Sequence, residues 1–100
     1  QQSRGLGEHH KTQVRIVQAP KPPYPFRARK LGFEGEVELA ITIGKDGFVK
    51  TGNIIRSSGR NDCDSSALDT VLSKWRFSPA TFSGIPIESK EQVVVRFQLR

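Results

Sequence analysis

Val37-Glu38-Leu39-Ala40-Ile41-Thr42-Ile43-Gly44-Lys45-Asp46-Gly47, residues 37–47, decides the fold. Its apolar residues fall at 37, 39, 41 and 43, and Glu36, Glu38, Ala40 and Thr42 take the places between. That is the period of two of a strand with one buried face. Asp46-Gly47 then supplies the dipeptide a tight hairpin favours, because such turns require positive φ. The return strand is expected over Phe48 to Ile55. There the alternation falters: Val49 and Ile54 lie an odd number of residues apart, with Gly52 between them. A bulge or twist near Gly52 brings both to one face.

Working toward the C-terminus, Ser57-Ser58-Gly59-Arg60-Asn61-Asp62 reads as a turn with several candidate N-caps. Helical spacing follows: Cys63, Ala67, Val71 and Trp75 recur every four residues, with Leu68 and Leu72 beside them. Asp62 and Asp64 in the first turn, and Lys74 and Arg76 in the last, suit the helix dipole, and Pro79 is expected to end the helix. Thr81 to Glu91, containing Ser83-Gly84-Ile85-Pro86, reads as a loop. Gln92 to Leu99 then alternates again, Val93, Val95, Phe97 and Leu99 on one face, and Val94, Arg96 and Gln98 on the other.

Toward the N-terminus, residues 1–13 read as a disordered or linker-like lead, and residues 14–100 as the folded domain. His9-His10 has no further ligands nearby and reads as solvated rather than as a metal pair. Val14 to Val17 is β-prone. Pro20, Pro22, Pro23 and Pro25 then place four prolines in six positions, which enforces an extended path with few backbone donors. This segment reads as a stiff strap over the domain surface, anchored by Tyr24. Pro25 to Leu31 suits a short helix stopped by Gly32, with Phe26 and Lys30 on one face and Ala28 and Leu31 on another.

The fold expected is therefore α+β: a short N-terminal helix and a three-stranded antiparallel sheet with one helix packed on a face, in the order helix-strand-strand-helix-strand. The last strand pairs with the first of the hairpin and is left at a sheet edge, where pairing with another chain happens.

Composition excludes more than it assigns. One hundred residues suit one domain. No apolar run reaches the length of a membrane span, and the first twenty residues lack a signal-peptide core. A net charge of +6 favours acidic partners, but the basic residues are scattered. The single cysteine, Cys63, excludes an internal disulfide and a multi-cysteine metal site, and its place in the apolar stripe marks it as a small buried residue. There is no phosphate loop, no His-Glu-x-x-His and no Gly-x-Ser-x-Gly, so no catalytic, metal or cofactor set emerges. Glu36 and Glu38 read as a charged sheet surface, not as an acid/base pair. The expectation is a binding module and not an enzyme.

Assembled, these residues resemble the C-terminal domain of the TonB family. The likeness is carried by Tyr24-Pro25, Ala28, Gly32, Gly35 and Val37, then Asp46-Gly47 and Val49. It continues with Ser57-Ser58-Gly59, Trp75-Arg76-Phe77 with Pro79-Ala80, Gly84 and the Val-rich last strand. It covers residues from about Val14 to Arg100. Two departures stand out: Cys63, where Leu or Met is more usual, and Gly52, where an apolar residue is common.

The resemblance implies the periplasmic domain of an inner-membrane energy transducer, with an anchor and a Pro-rich spacer outside this chain, working with ExbB and ExbD. It implies capture of the TonB box of outer-membrane receptors, so that proton-motive force drives import of iron chelates, haem or cobalamin. An extended receptor segment adds to the exposed edge of the last strand. The residues implicated are Gln18, Pro20, Pro22, Pro23, Tyr24, Pro25 and Arg27, with Gln92, Val93, Val94, Val95, Arg96, Phe97 and Gln98. Arg96 and Arg100, with Arg27 and Arg29, are placed to meet acidic groups of the receptor plug. Homodimerisation by strand exchange stays open. Two other readings also stay open: a periplasmic domain like the C-terminal domain of TolA, and a basic nucleic-acid-binding module. The latter is disfavoured because the sheet offers no paired aromatics for base stacking.

Overall fold

The alternation at residues 37–43 folds as the central strand of a sheet, its inner face sealed from water. The computed structural model describes residues 11–99. In chain order the elements are β1 (Lys11–Thr12), β2 (Arg15–Gln18), α1 (Phe26–Lys30), β3 (Gly35–Ile43) and β4 (Val49–Arg56). They continue with α2 (Asn61–Lys74), β5 (Arg76–Ser78), β6 (Ala80–Phe82), β7 (Ile85–Ile87) and β8 (Ser89–Phe97). The principal sheet is antiparallel with the order β4-β3-β8; a two-stranded sheet pairs β2 with β5, and a small one runs β1-β6-β7. His9, His10 and Arg100 lie outside the described residues.

Val37, Leu39, Ile41 and Ile43 of β3 are at most 1% exposed. Each such side chain contributes about 1.5–3 kcal/mol through its removal from water. They face the α2 stripe of Cys63, Ala67 and Val71 and the Trp75 that follows it, all buried, together with Val95 and Phe97 of β8. The α+β class, the hairpin, the helix on one face and the last strand at an edge stand as expected. Burial raises the Cys63 thiol above its ordinary value and keeps it an inert thiol.

The return strand reconciles Val49 with Ile54 differently from expectation. Ile43 pairs with Val49 and Thr42 with Thr51, so Lys50 is the extra residue; a second shift leaves Ile55 unpaired between Ile54 and Arg56. Gly52 sits in regular register opposite Ile41. Its missing Cβ makes room for the helix: an ideal Cβ there meets Leu68 Cδ1 at 3.2 Å and Leu72 Cδ2 at 3.4 Å. Larger leucines on α2 thus fill the space that an apolar strand residue would take.

Three expectations are corrected. The helix ends at Lys74, not near Pro79, because Trp75 turns extended with φ −77 and ψ 140. Its indole is drawn to the Pro20 carbonyl at 3.0 Å, and Phe77 N–H to the Gly47 carbonyl at 2.9 Å, so Arg76 belongs to β5 and not to the last helical turn. The serines of the turn do not cap α2, whose N-cap is Arg60 without a side-chain bond. Ser57 and Ser58 act in reverse, donating to the buried carboxylate of Asp64. Finally, the expected loop at 81–91 takes in most of β6, all of β7 and the start of β8. Ser83 and Gly84 both take positive φ (52 and 82), the geometry of a two-residue hairpin turn. Within the expected disordered lead, Lys11 and Thr12 pair with Phe82 and Thr81.

Candidate functional site

A sheet with order β4-β3-β8 has two outer edges, and they are built differently. On β4 the unpaired Lys50 and Ile55 interrupt the ladder toward either end. Bulges and charge are how natural sheets blunt an edge against further pairing. On β8 the register with β3 runs unbroken over nine pairs, from Ile43↔Ser89 to Gly35↔Phe97. That edge is long, regular and unblunted.

Which backbone groups face outward follows from one hydrogen bond and the register. Gly44 N–H donates to the Phe48 carbonyl at 2.8 Å, across the β3–β4 hairpin. Backbone groups alternate sides along a strand, so even-numbered residues of β3 turn toward β4 and odd-numbered ones toward β8. The register then makes Ser89, Glu91, Val93, Val95 and Phe97 the β8 residues bonded inward. Leu99 continues the alternation, its N–H reaching back to the Glu34 carboxylate at 3.0 Å. Lys90, Gln92, Val94 and Arg96 are left with N–H and C=O groups pointing to the open side.

The proline strap runs beside this edge. Ala19, Pro20, Lys21 and Pro22 face Val94, Val95 and Arg96 across a groove of about 220 Å³ that also touches Trp75. Side-chain donors pin the strap: Gln18 Nε2 gives to Lys74 O at 3.0 Å, Trp75 Nε1 to Pro20 O at 3.0 Å, and Ser66 Oγ to Pro23 O at 2.6 Å. The prolines offer no N–H to the carbonyls along β8, and the Pro20 and Pro23 carbonyls already accept from Trp75 and Ser66. Tyr24 anchors it, donating its hydroxyl to the Phe33 carbonyl and setting its ring edge-on to Phe97 with centroids 5.4 Å apart. Burial raises the Tyr24 phenol above its ordinary value, with the Glu34 carboxylate adding to the shift.

The structure brings together Pro20, Pro22, Val94, Val95 and Arg96 of the sequence-based set at one groove. Gln92 lies along the same edge. Gln98 is exposed just past the strand, Gln18, Pro23 and Tyr24 hold the strap in place, and Pro25 is the N-cap of α1. Arg27 is exposed on α1, apart from the groove lining. Val95 and Phe97 turn their side chains into the core, and Val93 packs against it, so these three shape the edge from behind. Arg96 Nε lies 2.6 Å from Glu36 Oε2, an exposed pair that adds under about 1 kcal/mol to the fold. Ala19 and Lys21 fall within the segment from Gln18 to Pro23 that the resemblance implicates, whereas Lys90 was not foreseen at the site. No alternation of apolar residues reaches back to Lys90, and Trp75 gave a signal only for the core.

Among the described residues no cluster of His, Cys, Asp or Glu is arranged to hold a metal ion, and no helix is long and apolar enough to cross a membrane.

A family model described as Gram-negative bacterial TonB protein C-terminal matches residues 20–99. Protein TonB of Vibrio cholerae is 35% identical over 79 residues, which are 79% of this chain and 32% of that protein. Protein TonB of Xanthomonas campestris is 33% identical over 78 residues, 78% of this chain and 34% of that one. The chain spans about a third of the length of these curated relatives. The solution NMR structure of the Pseudomonas aeruginosa TonB CTD aligns with a TM-score of 0.62 at 24% identity, covering 88% of this chain and 90% of the other, and shares the fold.

Proposed function

The chain belongs to the family of Gram-negative bacterial TonB C-terminal domains, and from that premise we propose that it is the receptor-binding domain of a TonB-like energy transducer. Members of this family are transducers and interaction proteins, not enzymes. In this reading the domain works in the periplasm, tethered to the inner membrane by segments outside this chain. It acts with ExbB and ExbD and couples proton-motive force to the import of iron chelates, haem or cobalamin.

Its part is capture. An extended segment, the TonB box of an outer-membrane receptor, adds as a strand to the open edge of β8, and the strap walls the other side of the groove. The observation that supports this most strongly is the contrast of the two edges: β4 carries two bulges, and β8 is regular over nine pairs. Strand addition draws its free energy from main-chain bonds and depends weakly on ligand side chains, so one domain serves several receptors. Arg27 and Arg29 on α1 act at longer range, steering encounter with acidic groups of the plug.

Hydrogen exchange tests the mode of capture. On addition of a receptor-box peptide, the amides of Lys90, Gln92, Val94 and Arg96 become protected. Those of Glu91, Val93 and Val95 are already slow in the free chain. Saturation by the peptide without protection of the four outward amides would rule out strand addition.

A further inference from the structure

The open edge of β8 has a second hollow at its other end. A cavity of about 540 Å³ lies beside the start of the strand, between Lys11 and Gln13 and the stretch from Glu88 to Glu91. Like the strap groove, it has the N-terminal segment for one wall and β8 for the other. Lys90, an outward position of the edge, and Val95, beside the strap, are five residues apart, about 17 Å along a strand.

The two hollows differ in chemistry. The strap groove is walled by Pro20, Pro22, Trp75, Val94 and Val95; its charges are Lys21 and Arg96, and Arg96 is paired with Glu36. The cavity carries two cations and two carboxylates, Lys11 and Lys90 with Glu88 and Glu91, and no ion pair joins any two of them. Ser89, also in its lining, has a buried Oγ with no hydrogen-bond partner among the described residues, where buried polar groups nearly always have one. Side chains alternate along β8, so Lys90 stands on one face of the sheet, and Ser89 and Glu91 on the other. A strand laid beside this end therefore meets polar groups on both of its faces. Beside Val94 and Val95 it meets apolar ones on both.

We propose that the two hollows fix the register of the captured segment through a polarity along its length: two neighbouring apolar residues enter the strap groove, and two neighbouring charged residues of opposite sign enter the cavity. The inference rests on strand addition at β8 and adds which extended segment is taken. Main-chain bonds repeat every two residues and so do not choose one register. The contrast between the ends does. A slipped strand carries a charge toward Trp75 and the strap, or an apolar residue among Glu88, Lys90 and Glu91, and either leaves buried polar groups unpartnered. A cavity holding both signs repels a block of either one, whereas a carboxylate beside Lys11 or Lys90 and an ammonium beside Glu88 or Glu91 satisfy it together.

Peptide titration followed by NMR tests this. A peptide of four alternating Val and Ile residues followed by Asp-Lys-Asp-Lys, and the same blocks in reverse order, together offer β8 either chain direction. A nitroxide on the charged end should broaden the amides of Ser89, Lys90 and Glu91, and one on the apolar end those of Val94, Val95 and Arg96. Exchanging the charged block for Val and Ile should weaken binding roughly tenfold. In the double variant Lys11→Gln with Glu91→Gln, which lacks one charge of each sign and no backbone bond, that preference should fall to about twofold with the unfolding midpoint unchanged. The inference is overturned if the charged-end label broadens Val94 to Arg96 as strongly as Ser89 to Glu91, or if the double variant keeps the full preference, even where the four outward amides are protected and capture itself stands. Failure of both block peptides to bind where a receptor-box peptide saturates overturns it equally. If saturation protects none of the outward amides, strand addition fails, and this inference with it.

Discussion

Replacing Val94 with proline interrogates the open edge at a single nitrogen. Val94 N–H points away from β3, so the substitution removes no bond within the chain, and the side chain is 46% exposed. Proline is tolerated at such edge positions, so the unfolding midpoint should stay close to wild type. A captured strand, in contrast, loses a donor. One neutral backbone bond is worth about 1 kcal/mol net, or about fivefold in Kd. The ring also occupies the space of the partner's carbonyl and interrupts the ladder there, raising the expected loss to roughly tenfold or more. Arg96→Pro, at the next outward position, should behave alike. Val94→Ala keeps the N–H and should bind within about twofold of wild type. Val95→Pro removes an inward bond to β3 and should lower stability instead. Arg96→Gln removes a screened charge contact, so its smaller effect should fade at high salt. The assay is calorimetric titration of each folded variant with a receptor-box peptide. If both outward prolines titrate like wild type while Arg96→Gln abolishes binding, the site is a charged surface and the reasoning fails.

Trp75→Ala empties a site 8% exposed at the join of helix and sheet and also unpins Pro20; a loss of about 3–5 kcal/mol in urea unfolding is expected, and an unchanged midpoint refutes the assignment. Burial pushes the Asp64 carboxyl up, yet the bonds from Ser57 Oγ, Ser58 N–H and Ser58 Oγ outweigh it and hold the carboxyl below its ordinary value. Its contribution is therefore complete above the unfolded carboxyl value and lost as pH falls through the lower folded value. Asp64→Asn should cost about 2 kcal/mol at neutral pH, a gap that narrows in acid; a gap that is constant with pH argues against the linkage. Gly47→Ala places a Cβ 2.0 Å from the Phe77 carbonyl oxygen at a residue with φ +86. Backbone cannot yield as a side-chain tip can, so at least about 2 kcal/mol of destabilisation by thermal unfolding is expected.

The elements legible in the sequence were those whose periodicity is imposed by one large buried face. β3, the α2 stripe and the C-terminal half of β8 all pack on the same core, and their apolar residues recur accordingly. β5, β6 and β7 are three residues each, too short for any period to register, and they are held by pairing and by single bonds such as Phe77 N–H to Gly47 O. The helix end was misplaced because Pro79 is a visible stop, whereas Trp75 leaves the helix for a distant acceptor on Pro20. At the site, the exposed edge followed from strand order, and the strap from the prolines. The outward set of Lys90, Gln92, Val94 and Arg96 needs the parity of the hairpin bond at Gly44, which no composition or spacing reveals.

The pinned strap also sets how the domain carries tension. A pull arriving through Pro20 and Pro23 passes to the indole of Trp75 and the hydroxyl of Ser66, and at Tyr24 it meets Phe97 edge-on. Phe97 lies on the strand that offers the open edge, so under the proposed function load and partner would converge on one element. A pull along β8 strains its bonds to β3 together, in shear, instead of opening them one after another like a zip. The strap is fastened differently, by a few side-chain donors downstream of the β2–β5 pairing, so the two ends of that path are held by unlike means.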